Sequence, residues 1–205
     1  MTVERRTLRT GVLLEQAVLQ CALHHMVRKG FTPLLVPHLV KDEAMVGTAY
    51  FPALRQAIDA AKGEIYLETY IFRDDATGQA IAAALARAAQ RGVAVRVLVD
   101  GFGCKDHFAE IRERLLAANV QVLIYRPKIS PLTLRRNRLR RMHRKLAVID
   151  ARVAFAGGIN IIDDMDTPGD NPPRYDYAVR IEGPLLAPIV EEVERLWGRV
   201  AWASL

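Results

Sequence analysis

Cysteine is scarce in this sequence. Cys21 and Cys104 stand far apart and match no paired-thiolate spacing, so neither a disulfide framework nor a structural zinc site is indicated. A reducing compartment is the default expectation. Also missing is an apolar run of about 18 residues, the length needed to cross a bilayer. The best stretch, residues 12–27, is interrupted by Glu15, Gln16, Gln20, His24 and His25. No secretory leader is recognisable, so membrane contact is expected to be peripheral or to come from sequence not present here.

The chain has 205 residues, 51% hydrophobic and 25% charged, which favours one sizeable core over disorder. A formal charge of +6 points to anionic partners: phosphate esters, nucleic acid or an acidic membrane surface. Much of the excess is local, because residues 135–145 hold seven Lys/Arg among eleven positions. Aromatic residues do not interleave with these arginines, which counts against a single-strand binder that stacks bases.

From about residue 52 the pattern alternates helix and strand, predicting an α/β fold. Leu54, Ile58 and Ala61 give a helix over 52–62, with Pro52 in its first turn and Gly63 as its stop. A strand is predicted over 64–72 and a helix near 77–91, capped by Asp74 or Asp75 and ended by Gly92. A strand over 93–100, a helix near 106–118 and a strand over 120–125 follow. Residues 126–142 lose regular patterning and read as a loop. The segments 143–150 and 153–158 form a predicted hairpin turning at Ala151 and Arg152. A polar loop over 163–174, a strand over 175–182 and a helix over 185–200 complete the pattern.

Chemistry concentrates at the open end of that hairpin. His143-x-Lys145-x4-Asp150 is followed by Gly157-Gly158-Ile159-Asn160. On a strand, alternation projects His143 and Lys145 to one side and Asp150 to the other. A neutral imidazole can attack phosphorus and split one displacement into two easier ones. Lys145 would neutralise non-bridging oxygens, and Asn160 would donate a hydrogen bond to them. Asp150, beside a turn, also fits a carboxylate that binds local backbone amides. A leaving alkoxide requires a second acid. The 143–160 pattern occurs once, and His107 lacks its companions. The missing acid is therefore expected from another chain or from a C-terminal half outside this sequence.

This arrangement resembles the HKD motif of the phospholipase D superfamily. Beyond it, residues 50–85, RGVAVRVLVDGFG, the arginine-rich lead into GGIN and RYDYAVRIEGPLLAPI resemble, in order and spacing, the N-terminal half of bacterial cardiolipin synthases of the shorter type. The resemblance implies a phospholipase D-like sheet with helices on both faces, holding one HKD half over residues 50–205. It implies phosphatidyl transfer between a phosphatidylglycerol-like phospholipid and a hydroxyl acceptor, with no metal and no cofactor. His143, Lys145 and Asp150 would be the catalytic motif members; Asn160, Gly158 and Arg141 would bind substrate phosphate. Glu68 would orient a histidine, or else be a solvated edge residue. The expected setting is bacterial, cytoplasmic and peripheral to the inner membrane, as a homodimer or with a second HKD half. Nucleic acid is the less favoured substrate; a homodimeric nuclease and an inactive chimeric fragment are the alternative readings.

Residues 1–49 form a separate helix-strand segment in this reading. Within it, residues 10–51, with GFTPLLVP and LVKDEAMVGT, resemble the first class II motif of seryl-tRNA synthetase, a dimerisation region. The ATP-binding and amino-acid-binding motifs of that family are absent from the sequence, so aminoacylation is not expected.

Overall fold

The computed structural model describes residues 47–127, 141–163 and 176–204. The N-terminal segment up to residue 46, where the synthetase resemblance was expected, and the arginines at 135–140 lie outside the described residues.

The described residues hold four helices and six strands. They are α1 (Gly47–Ala60), β1 (Glu64–Thr69), α2 (Ala76–Gln90), β2 (Ala94–Asp100), α3 (Ala109–Ala117), β3 (Gln121–Tyr125), β4 (Leu146–Ile149), β5 (Val153–Gly157), β6 (Ala178–Ile181) and α4 (Leu186–Ala203). The strands form one mixed sheet in the order β3-β2-β1-β4-β5-β6. Its β3-β2-β1 half is parallel, while β4, β5 and β6 add as an antiparallel meander.

Both faces of the sheet are covered, and the two-residue period of the strands shows how. Ile65, Leu67, Val95, Val97, Val99, Ala147, Ile149 and Phe155 join the core beneath α1, α2 and α3, which contribute Leu54, Ile58, Ile81, Leu85, Ile111 and Leu115. The intervening Tyr66, Leu98, Val148 and Ala154 face α4 through Leu186, Val193, Leu196 and Val200. A strand buried on both sides must be apolar at nearly every position, which is why β2 reads as an almost continuous run.

Several boundaries correct the sequence expectations. The first helix starts at Gly47, not Pro52, because its apolar face begins upstream at the buried Tyr50; Pro52 sits in the second turn. Asp75 caps α2 by accepting from the Gly78 amide. That helix stops at Gly92, whose positive φ of 89° suits a residue without a Cβ. β1 ends early, at Thr69, where the hydroxyl turns back to the Ile71 carbonyl at 2.8 Å. β4 consequently begins only at Leu146, paired with Glu68, and residues 143–145 lead into it without a neighbouring strand from β1.

The β4–β5 turn lies one residue earlier than expected, with positive φ at Asp150 (52°) and Ala151 (50°). What holds it is the Asp150 carboxylate, which accepts from the amides of Lys62 (2.9 Å), Gly63 (2.8 Å) and Glu64 (2.9 Å). Burial pushes this carboxyl upward, but the three amides and Arg152 outweigh it and hold the group below the ordinary aspartate range. A depressed acid stabilises the fold above its unfolded pKa and loses that contribution as pH falls through its folded value. Asp150→Ala is therefore expected to lower unfolding free energy at neutral pH by about 1–2 kcal/mol, since water can partly replace the carboxylate at the exposed Lys62 and Gly63 amides. Urea titrations should show the gap from wild type narrowing as pH falls below about 4.

Candidate active site

Three parallel strands end at the same edge of the sheet, and β4, antiparallel to β1, starts there. Ligand sites in open α/β sheets gather at the carboxyl ends of parallel strands. The lead-in to β4 places His143 at this edge, alongside the chain that leaves β1. Gly157 at the end of β5 donates to the Lys145 carbonyl at 3.2 Å, which keeps the open end of the hairpin closed.

The structure brings His143 and Lys145 into direct contact. Lys145 Nζ lies 3.1 Å from Nδ1 and 3.2 Å from Nε2 of the imidazole, and 3.3 Å from the His143 carbonyl. The ring is exposed, whereas Lys145 is only 7% accessible. Tyr70 backs both groups: its ring centroid is 4.7 Å from that of His143 and 5.4 Å from Lys145 Nζ. Burial lowers the Lys145 pKa, and the negative charge of Asp176 works against that drop. A solvent-facing imidazole beside a partly desolvated cation is an arrangement suited to an anionic phosphoryl group.

The glycine pair explains how Asp176 comes so near. A Cβ on Gly158 would lie 2.0 Å from an Asp176 carboxylate oxygen, and one on Gly157 would lie 2.1 Å from the Tyr177 carbonyl. Gly158 also donates to that carbonyl at 2.8 Å. Two residues further, Asn160 Oδ1 accepts from the Ile71 amide at 3.1 Å, tying the GGIN segment to the chain that carries Tyr70. Asn160 therefore has a scaffold contact in addition to the donor capacity of its amide nitrogen.

Of the other expected site residues, Asp150 is at the opposite end of β4 from His143, with its carboxylate engaged by the three amides described above. Glu68 is not a solvated edge residue: it is 3% accessible, beneath α4. Its carboxylate meets Arg144 at 3.4 Å, and Arg144 also pairs with Glu192 of α4. The side chains flanking the strand lead-in thus divide, with His143 and Lys145 in the site and Arg144 anchored to α4. Arg141 stacks on Phe102 at 4.8 Å, and its buried Nη1 has no hydrogen-bond partner among the described residues. Tyr70 and Asp176 were not singled out from sequence. Their signals, an aromatic just past β1 and an acid leading into β6, acquire meaning only once the sheet order is known.

A sequence profile described as "Cardiolipin synthase, PLD-like domain" matches residues 54–197, well over half of the chain. The chain belongs to the phospholipase D-like cardiolipin synthase family. Cardiolipin synthase B of Escherichia coli K12 is 44% identical over 156 residues, covering 76% of this chain but 38% of that protein. Cardiolipin synthase A of Pseudomonas putida is 32% identical over 189 residues, covering 89% and 37%. The chain thus spans about two fifths of the length of the curated relatives it matches.

Solved structures share the fold. The phospholipase D family member Nuc from Salmonella typhimurium superposes with a TM-score of 0.58 at 20% identity, over 76% of this chain and 94% of that one. Phosphatidylserine synthase from Haemophilus influenzae gives 0.57 at 17% identity, over 74% and 35%. Among the described residues of this cardiolipin synthase-like chain, no helix is long and apolar enough to cross a membrane.

Glu68 supplies a pH test of the packing behind the site. Burial raises its pKa to about 7, against the opposing pull of Arg144. An acid whose folded pKa is raised leaves the fold most stable below its unfolded pKa and erodes it as pH climbs to the folded value. Between about pH 5 and 8, wild type should lose stability relative to Glu68→Gln, whose neutral amide needs no ionisation. Paired denaturant titrations across that range check the sign.

Proposed function

We propose that the chain is one half of a phospholipase D-type phosphatidyltransferase in which His143 is the nucleophile. The observation that supports this most is the exposed imidazole in contact with the buried ammonium of Lys145. An imidazole nitrogen attacks the phosphorus of a phospholipid such as phosphatidylglycerol. The phosphorus–oxygen ester bond breaks, leaving a phosphatidyl group on His143 and an alkoxide that takes a proton. An acceptor hydroxyl then attacks phosphorus, gives up its proton, and returns the histidine free.

Lys145 is assigned to the non-bridging oxygens, where its charge grows more valuable as negative charge develops. Asn160, through its amide nitrogen, and Arg141 are assigned to the same phosphate, and Gly158 supports that phosphate site by leaving room for Asp176. Leaving-group protonation falls to a second HKD half, provided by a second copy of this chain or by a separate polypeptide. The basic lead-in to His143 fits peripheral contact with anionic lipid at the cytoplasmic side of the inner membrane, where each basic residue near the surface contributes about 1 kcal/mol. A nuclease would use the same imidazole, but the 44% identity to cardiolipin synthase B favours lipid.

The test is turnover of phosphatidylglycerol vesicles by the chain, alone and with a second HKD half added, with nucleic acid as the competing substrate. Transfer to a hydroxyl acceptor is expected, falling by at least about 10³-fold in His143→Ala. Hydrolysis of nucleic acid without lipid turnover contradicts the assignment, as does a His143→Ala chain of undiminished activity.

A further inference from the structure

The turn between β2 and α3 is built around one carboxylate. Asp100 closes β2 and is fully buried. Its Oδ1 accepts from the amides of Phe102 (2.9 Å) and Gly103 (3.1 Å), which closes the turn locally. Its Oδ2 accepts from the amide of Met142, the residue immediately before His143, at 2.8 Å. The Met142 side chain is itself buried among Leu98, Leu196 and Val200, so both backbone and side chain are fixed at that point.

The same turn braces the other side of the imidazole. Cys104 Sγ donates to the Tyr70 carbonyl at 3.4 Å and accepts from the Phe72 amide at 3.2 Å. Gly103 passes so close that a Cβ there would lie 2.1 Å from the Tyr70 carbonyl. One turn therefore grips the residue preceding His143 and the residue whose ring lies against it.

We propose that Asp100 is a positioning residue, which sets the His143 imidazole between Tyr70 and Lys145 by holding the Met142 amide. It acts through the backbone and touches no reacting atom. Its catalytic consequence rests on His143 being the nucleophile, but its effect on ring placement does not, and the two fail separately. A misplacement of about 1 Å at a reacting group is enough to cost 10²-fold in rate, so a buried clamp one residue away has leverage.

Asparagine is nearly isosteric with Asp100 but has one oxygen. Whichever way it turns, its NH2 faces an amide N–H, and either the turn bonds or the Met142 bond is lost. Asp150 is a chemically matched control, because it too gives one oxygen to two amides and the other to one, at the far end of β4. The experiment follows the imidazole C–H resonances of His143, assigned by their disappearance in His143→Ala. Tyr70→Leu marks where they move when the neighbouring ring is removed.

Asp100→Asn is expected to carry the His143 resonances most of the way to their Tyr70→Leu position, while Asp150→Asn loses thermal stability and leaves them in place. If Asp100→Asn does not fold, Asp100→Ser serves the same comparison. Its hydroxyl keeps the local turn bonds but is too short for Met142. Unmoved resonances in the Asp100 variants, or equal movement in Asp150→Asn, overturn the proposal. Turnover is not needed for the reading, so an inactive half-length chain still gives an answer.

Discussion

An ammonium removed from water beside an imidazole left in it is the constraint on which the rest of this structure turns. Burial works against the charge of Lys145, and Asp176, with the ring face of Tyr70, compensates. Each compensating group needs its own support. Asp176 reaches the site because Gly158 has no side chain, and Tyr70 stands where it does because the β2–α3 turn presses on its carbonyl. The motif is thus the visible part of a larger arrangement whose members are far apart in sequence.

Two carboxylates do the same work at opposite ends of β4. Asp100 ties the start of the lead-in to the parallel half of the sheet, and Asp150 ties the hairpin turn to the entrance of β1. Each accepts from three backbone amides, and each joins segments from distant parts of the chain. Arg144 adds a third anchor, connecting the same lead-in to Glu68 beneath it and to Glu192 on α4. A peptide segment of three residues between strand and loop is thereby restrained from the turn in front, from the sheet and from the covering helix.

Much of the fold was legible because its strands are apolar runs and its helices carry i, i+4 faces ended by glycine, as at Gly92. Local signals failed where tertiary packing decided. Pro52 looked like a helix start, yet Tyr50 had a core to enter and drew the helix upstream. Glu68 read equally as orienting a histidine or as solvated, because the helix that covers it comes more than a hundred residues later, at Leu186–Ala203. The closeness of His143 and Lys145 was readable from their spacing together with the hairpin that follows. Asp100, Asp176 and Tyr70 were not, because their roles depend on which loops share an edge of the sheet, and no local pattern encodes that. Asp150, conspicuous in the spacing, is engaged in holding backbone.

The central claim, that His143 forms a bond to phosphorus, is tested most directly by trapping the intermediate. The chain, supplied with a second HKD half and a short-chain phosphatidylglycerol, is quenched during turnover, and its peptides are weighed. A phosphatidyl adduct on the peptide carrying His143 is the predicted result. An adduct on a different residue, or steady turnover with no adduct at any quench time, would contradict the account.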